Sequence, residues 1–177
     1  MEFSAREIWG SLHGFIFGGL YLLAFSGGLL ALYSLKTEWM TVEGLKNKLA
    51  ILKITVWGMA AVMWATVITG TYIIYPWYRA KPPEGTTELS EFARSFLLAN
   101  PNTAAWHNFG MEWKEHVAWI APIAATVVAY VISVYAPKLA AEPKIRKALA
   151  WFFIIAFITA AVAGVLGALI TKAAPIR

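Results

Sequence analysis

The sequence predicts an all-α integral membrane protein, a four-helix bundle with a short amphipathic helix between its second and third spans. Hydrophobic residues make up 59% of the 177 and charged residues only 14%, fewer charges than a soluble domain carries. The mean hydropathy is +0.60. Four apolar segments are each long enough to cross roughly 30 Å of hydrocarbon, which takes about 20 helical residues. No internal repeat or low-complexity tract divides the chain, so residues 1–177 read as one transmembrane domain. No cleavable leader is expected, because the first apolar segment is too long for one and lacks a basic start.

The first segment runs from about Ile8 to Leu35 and the second from about Ile54 to Tyr75. After the second, Tyr75-Pro76-Trp77-Tyr78-Arg79 and Lys81-Pro82-Pro83 end the helix and force an extended path. The stretch TTELSEFARSFLLAN then reads as the short amphipathic helix. Thr87 or Ser90 is its expected cap, and Phe92, Phe96 and Leu97 form its apolar face, suited to the membrane interface. Asn100-Pro101-Asn102-Thr103 makes a turn and caps the third helix. That helix opens with the polar WHNFGMEWKEH, Trp106 to His116, and continues without a break into an uncharged run to about Ala136. The polar part is its outer end, projecting beyond the hydrocarbon. Pro122 is expected to bend it by removing the backbone bond to Ala118. The fourth segment runs from about Ala148 to Thr171.

Loop charge predicts the orientation. Of the 15 lysines and arginines, eight lie on the side of the first and third loops: Lys36, Lys46, Lys48, Lys53, Lys138, Lys144, Arg146 and Lys147. The other seven, Arg6, Arg79, Lys81, Arg94, Lys114, Lys172 and Arg177, are spread over longer segments. The denser side is expected to face the cytoplasm, which puts both termini outside a cytoplasmic (inner) membrane. The net charge of +5 is then loop charge and does not point to nucleic acid. There is no cysteine, which excludes disulfides, thiolate metal sites, iron–sulfur clusters and covalent c-type haem attachment.

Three histidines are present: His13, His107 and His116. A histidine inside a membrane span suggests function by default. His13 lies one turn past Trp9 in the first helix, and His116 lies just before Trp119 in the third, so the two are expected at similar depth. His107 lies nine residues before His116, about 13 Å further out and on the opposite face of a helix. Two imidazoles at matched depth on different helices suit axial ligation of a b-type haem. Flat porphyrin faces need small neighbours, which Gly10, Gly14, Gly18 and Gly19 supply around His13. The plainer account of that stripe is close helix–helix packing, and Gly70 fits either account. Arg79 or Lys81 is placed to pair with a haem propionate, although an ordinary aromatic belt explains Tyr75, Trp77 and Tyr78 without a cofactor. Glu112 lies one turn before His116 and can hydrogen-bond it. Met111 shares a face with His107, a weak soft-metal pair.

With His13 on the first helix, His116 on the third, glycines around His13 and cations after the second helix, the chain resembles the small four-helix integral-membrane b-type cytochromes in general plan. The resemblance implies an electron carrier or complex subunit rather than a stand-alone enzyme. Members with two bis-histidine haems need four histidines. Three allow at most one, near the outer face, exchanging electrons with a quinone or a partner redox protein. The alternative is a non-haem anchor or quinone-site subunit of a larger respiratory or other membrane complex, or a homo-oligomer. There His107, His116 or Tyr75 would bond a quinone carbonyl, and Glu112 or Glu115 would take the proton. Transport is disfavoured because the apolar cores lack midplane carboxylates. No nucleophile elbow, metalloprotease helix or phosphate loop supports hydrolysis.

Overall fold

The computed structural model describes residues 3–35 and 41–175. Lys36 and Arg177, two of the cations used for orientation, lie outside the described residues. Four helices are long and apolar enough to cross a membrane: α1 (Ala5–Tyr33), α2 (Val42–Tyr78), α4 (Pro101–Ala136) and α5 (Pro143–Ala173). The short α3 (Ala93–Leu98) lies between the second and third of these. No strand occurs among the described residues. The chain is an integral membrane protein by these four spans.

Local chemistry sets the helix ends. Ser4 and Glu7 form a reciprocal capping box at the start of α1, satisfying backbone donors that an isolated helix start leaves unpaired. Thr41 caps α2 by accepting from the Gly44 N–H, so α2 begins a dozen residues before the apolar run. Lys46, Lys48 and Lys53 therefore ride on its projecting end. Asn100 caps α4 as expected, accepting from the Asn102 N–H at 2.9 Å. Near the turn between α4 and α5, Arg146 donates to the carbonyls of Leu139 and Ala140 at 2.6 and 2.7 Å, where a cation favours a helix C-terminus.

The amphipathic segment differs from expectation. Its helix has only six residues, and neither Thr87 nor Ser90 caps it. Glu88 accepts from the Ser90 N–H instead, closing a tight turn before the helix starts. Leu97 is fully buried and packs with Tyr78, Met111, Ile170 and Ala174. Its apolar face thus covers the end of the bundle. Arg6 and Glu91 pair at 3.8 Å, tying the start of α1 to the same segment.

The long helices form a ring: α1 packs on α2, α2 on α4, α4 on α5, and α5 back on α1. Helices α1 and α4 therefore stand at opposite corners. The main core includes Tyr21, Phe25 and Leu32 of α1, Leu52, Val56 and Met59 of α2, Val128 and Ile132 of α4, and Phe153 of α5. Two indoles of α2 donate across to α4 hydroxyls, Trp57 to Ser133 at 2.9 Å and Trp64 to Thr126 at 3.0 Å, ties worth about 0.6 kcal/mol each within a bilayer. Just before Pro122, residues Val117–Trp119 tighten into a 3-10 turn, the local adjustment expected where proline denies Ala118 its partner.

Candidate cofactor site

The three histidines and the three π-helical segments among the described residues occur at one end of the ring, the histidine end. The π segments are Leu12–Gly18 in α1, Gly70–Ile74 in α2 and Trp106–Met111 in α4. A π turn widens the helix by one residue and re-aims side chains, and such turns gather at functional sites. His13 lies in the first segment, Gly70 in the second and His107 in the third. A reading based on a regular 3.6-residue period has no means of seeing these turns.

His13 is seated on α2. Its Nδ1 lies 3.3 Å from the Thr69 hydroxyl oxygen. That hydroxyl has one proton, which it donates to the Ala65 carbonyl at 2.7 Å, with the Thr66 carbonyl at 3.1 Å. With that proton on a carbonyl, Thr69 accepts from the ring in the tautomer that carries its proton on Nδ1. The lone pair then sits on Nε2. This is the arrangement of a metal-ligating histidine, in which a bond to one ring nitrogen fixes the tautomer and aims the other. Gly70 makes the seat. A Cβ there would lie 2.7 Å from His13 Cε1 and 3.3 Å from both ring nitrogens, so a larger residue would have to move the imidazole. Gly70 thus clears space for the imidazole itself.

His116 lies on a different surface. Its Nδ1 lies 3.0 Å from the Glu112 carbonyl oxygen and 3.4 Å from the Glu112 carboxylate. Its side chain is 70% exposed and does not meet His13. His107 differs from both. Arg94 donates through Nε to His107 Nε2 at 3.4 Å, so Nδ1 donates to the Tyr78 hydroxyl at 2.9 Å. Both nitrogens of His107 are engaged. Met111 is buried among apolar side chains, and His107 turns to Tyr78 and Arg94 instead of to its sulfur.

The other predicted contributors are placed as follows. A Cβ at Gly10, Gly14 or Gly19 would meet nothing within 4 Å, and one at Gly18 would meet only the His13 carbonyl at 3.6 Å. The stripe does not serve close packing within this chain. Arg79 donates to the Tyr75 hydroxyl at 2.8 Å and lies 5.3 Å from the centre of that ring. Glu115 lies beside the same hydroxyl, and its Oε1 is buried with no hydrogen-bond partner among the described residues.

The sequence reading passed over Lys114, treating it as one loop cation of seven. It turns inward, and its Nζ donates to the Ala163 carbonyl of α5 at 3.2 Å. Two signals pointed to this: Lys114 is two positions from His116, about 200° around the helix, and Ala163 and Gly167 leave a small-residue gap on α5.

Among the described residues no three histidine, aspartate or glutamate side chains converge as they would around a bare metal ion. A haem needs fewer protein ligands, since the porphyrin supplies four nitrogens and the chain one or two. No residue of Ala5–Gly18 or Gly70–Ile74 is fully buried. Comparison of the chain with protein-family models, with curated proteins and with solved structures gives no match, so the site is read from its own geometry.

Proposed function

We propose that this chain is a membrane electron-transfer protein that holds a single b-type haem at the histidine end, with His13 as an axial ligand. The observation that carries this reading is the seat of His13, whose Nδ1 lies 3.3 Å from the Thr69 hydroxyl and whose ring occupies the space a Cβ at Gly70 would need. When bound, the haem iron supplies one-electron chemistry. The chain's residues orient the imidazole through Thr69, clear it through Gly70, and offer Arg79 to an anionic propionate at the surface. A quinone or a partner redox protein exchanges the electron on the same face.

Absorbance spectra of the purified protein in detergent, oxidised and dithionite-reduced, test this. A Soret band that sharpens and shifts on reduction is expected, and His13→Ala should abolish it while the protein still inserts. A flat visible spectrum after expression with ample haem would leave the anchor reading, a subunit of a larger membrane complex.

A second reading rests on Glu115. Its unpartnered Oε1 beside the Tyr75 hydroxyl is what a quinol site needs, a carboxylate able to take a proton next to a group that bonds the ring oxygen. The two readings are compatible, since a quinone near the contacting Tyr75, Tyr78 and His107 rings could serve the haem.

The loop charges support an exterior histidine end. With no native cysteine, Thr87→Cys should react with an impermeant thiol reagent on intact cells and Asn47→Cys should not. The opposite labelling pattern would place the site on the cytoplasmic face.

A further inference from the structure

The short α3 is too small to hold itself in place. It has six residues, and helices of that length do not form alone. Three ties keep it on the bundle. Leu97 is 0% exposed and packs with Tyr78, Met111, Ile170 and Ala174. The Thr103 hydroxyl donates to the Leu97 carbonyl at 2.8 Å. The third tie joins two side chains: Arg94 donates through Nε to His107 Nε2 at 3.4 Å, and His107 lies in the π-helical turn of α4.

This third tie depends on charge. Nε2 accepts only through a lone pair, which a neutral imidazole has and an imidazolium lacks. A proton on Nε2 would set N–H against N–H and a positive ring against a guanidinium. Arg94 has no carboxylate to hold it otherwise, since the ion pairs among the described residues are Arg6 with Glu91 and His116 with Glu112. The other groups facing the ring are the Tyr78 hydroxyl of α2 at 2.9 Å from Nδ1, Arg79 of α2, and Glu112 and Glu115 of α4 itself. Helix α5 brings the apolar Ile170 and Ala174 to the same cluster. The two carboxylates allow the ring to take a proton, but they cannot give Nε2 back its lone pair.

We propose that Arg94 and His107 form an acid-released latch, and that α3 is the lid it holds. While His107 is neutral, the lid is shut and Leu97 sits against Tyr78 and Met111. When Nε2 takes a proton from water, the Arg94 bond is lost and α3 lifts. The stacked rings of Tyr75 and Tyr78, 6.4 Å between centroids, are then open to a molecule arriving from that face. Closure needs the neutral ring, so it is complete at high pH and lost as the pH falls through about 8 to 5, the range in which imidazoles change charge. The latch stands on the packing of α3, and its failure would leave the haem and quinone readings untouched.

The chain has no cysteine of its own, so Leu98→Cys, at a position 41% exposed on α3, takes a single nitroxide label and leaves Leu97 in place. Paramagnetic resonance of the labelled full-length protein in detergent reads the lid as the ratio of mobile to immobile signal. Losing one net hydrogen bond should raise that ratio about two- to tenfold between pH 8 and pH 5. His107→Gln keeps an oxygen acceptor that takes no proton, so its spectrum should not change with pH. Arg94→Gln removes the guanidinium and should also erase the acid response, which decides the matter if His107→Gln fails to fold. A parent spectrum unchanged across this range overturns the latch. So does an acid response that survives in His107→Gln, which would assign it to another group such as Glu91, or one that survives in Arg94→Gln.

Discussion

If the chain holds the proposed haem, Gly70→Val should cost the protein that haem, whereas Gly14→Val should leave it in place. The two glycines have opposite surroundings despite their shared place at the histidine end. A Cβ at residue 70 would lie 2.7 Å from His13 Cε1, and one at residue 14 would meet nothing within 4 Å. Valine at 70 must push the imidazole off its seat, which breaks the Thr69 bond that holds Nδ1. Overpacking of this kind costs about 1–3 kcal/mol in fold stability, and the displaced Nε2 no longer meets the iron. The check is the low-spin haem absorbance per folded protein in detergent. Unchanged haem in Gly70→Val would mean that His13 does not ligate from this seat. Haem loss in Gly14→Val would mean that the porphyrin lies along the glycine edge of α1.

Phe153→Ala should be the most destabilising truncation in the apolar core, by about 3–5 kcal/mol. Phe153 is 2% exposed. It stands edge-on to Phe25 with ring centroids 5.8 Å apart, and its ring edge lies 3.0 Å from where a Cβ on Gly28 would be. It therefore joins α5 to α1 through Phe25 and Gly28. Unfolding in mixed micelles should show a lower midpoint. Phe153→Leu should recover much of the loss because it keeps most of the volume. A truncation within 1 kcal/mol of the parent would show that the α1–α5 contact contributes little, with 1 kcal/mol taken as the ordinary scale of a single substitution.

The spans were legible in the sequence because hydrocarbon length imposes a minimum run of apolar residues. The continuity of α4 through WHNFGMEWKEH was legible too, because the Asn100-Pro101 cap signal precedes it. The start of α2 was less so: Thr41 caps a helix whose first turns are polar, and an apolar run cannot mark a polar beginning. The cap expected for α3 at Thr87 or Ser90 is absent: the helix starts after Phe92 with no side-chain cap, and Glu88 closes the turn before it. At the site, His13 was legible as a histidine within a span. Its partners were not. Thr69 and Gly70 lie 56 and 57 positions further along the chain, and only packing reveals that they meet the ring. Lys114 was hidden by its type, since a lysine near a span end is ordinarily a solvated charge. Its inward direction followed from its spacing to His116 only once one of the two was known to face outward.

The core of this bundle is unevenly distributed, and that sets an order of assembly. Tyr21, Phe25 and Leu32 lock the inner half of α1 against its neighbours, while the outer half, Ala5–Gly18, buries nothing fully. The inner half can therefore reach its final packing from the chain alone, like the hinge of a book whose pages still fan. A planar guest can slip between the outer turns late, without melting what is already set. Its departure would likewise leave the hinge closed. If the proposed haem is bound, its loading and loss are then local events at one end of a membrane protein that keeps its topology throughout. Backbone hydrogen exchange, slow in the inner half and slowed in the outer half only once haem is bound, would record that division.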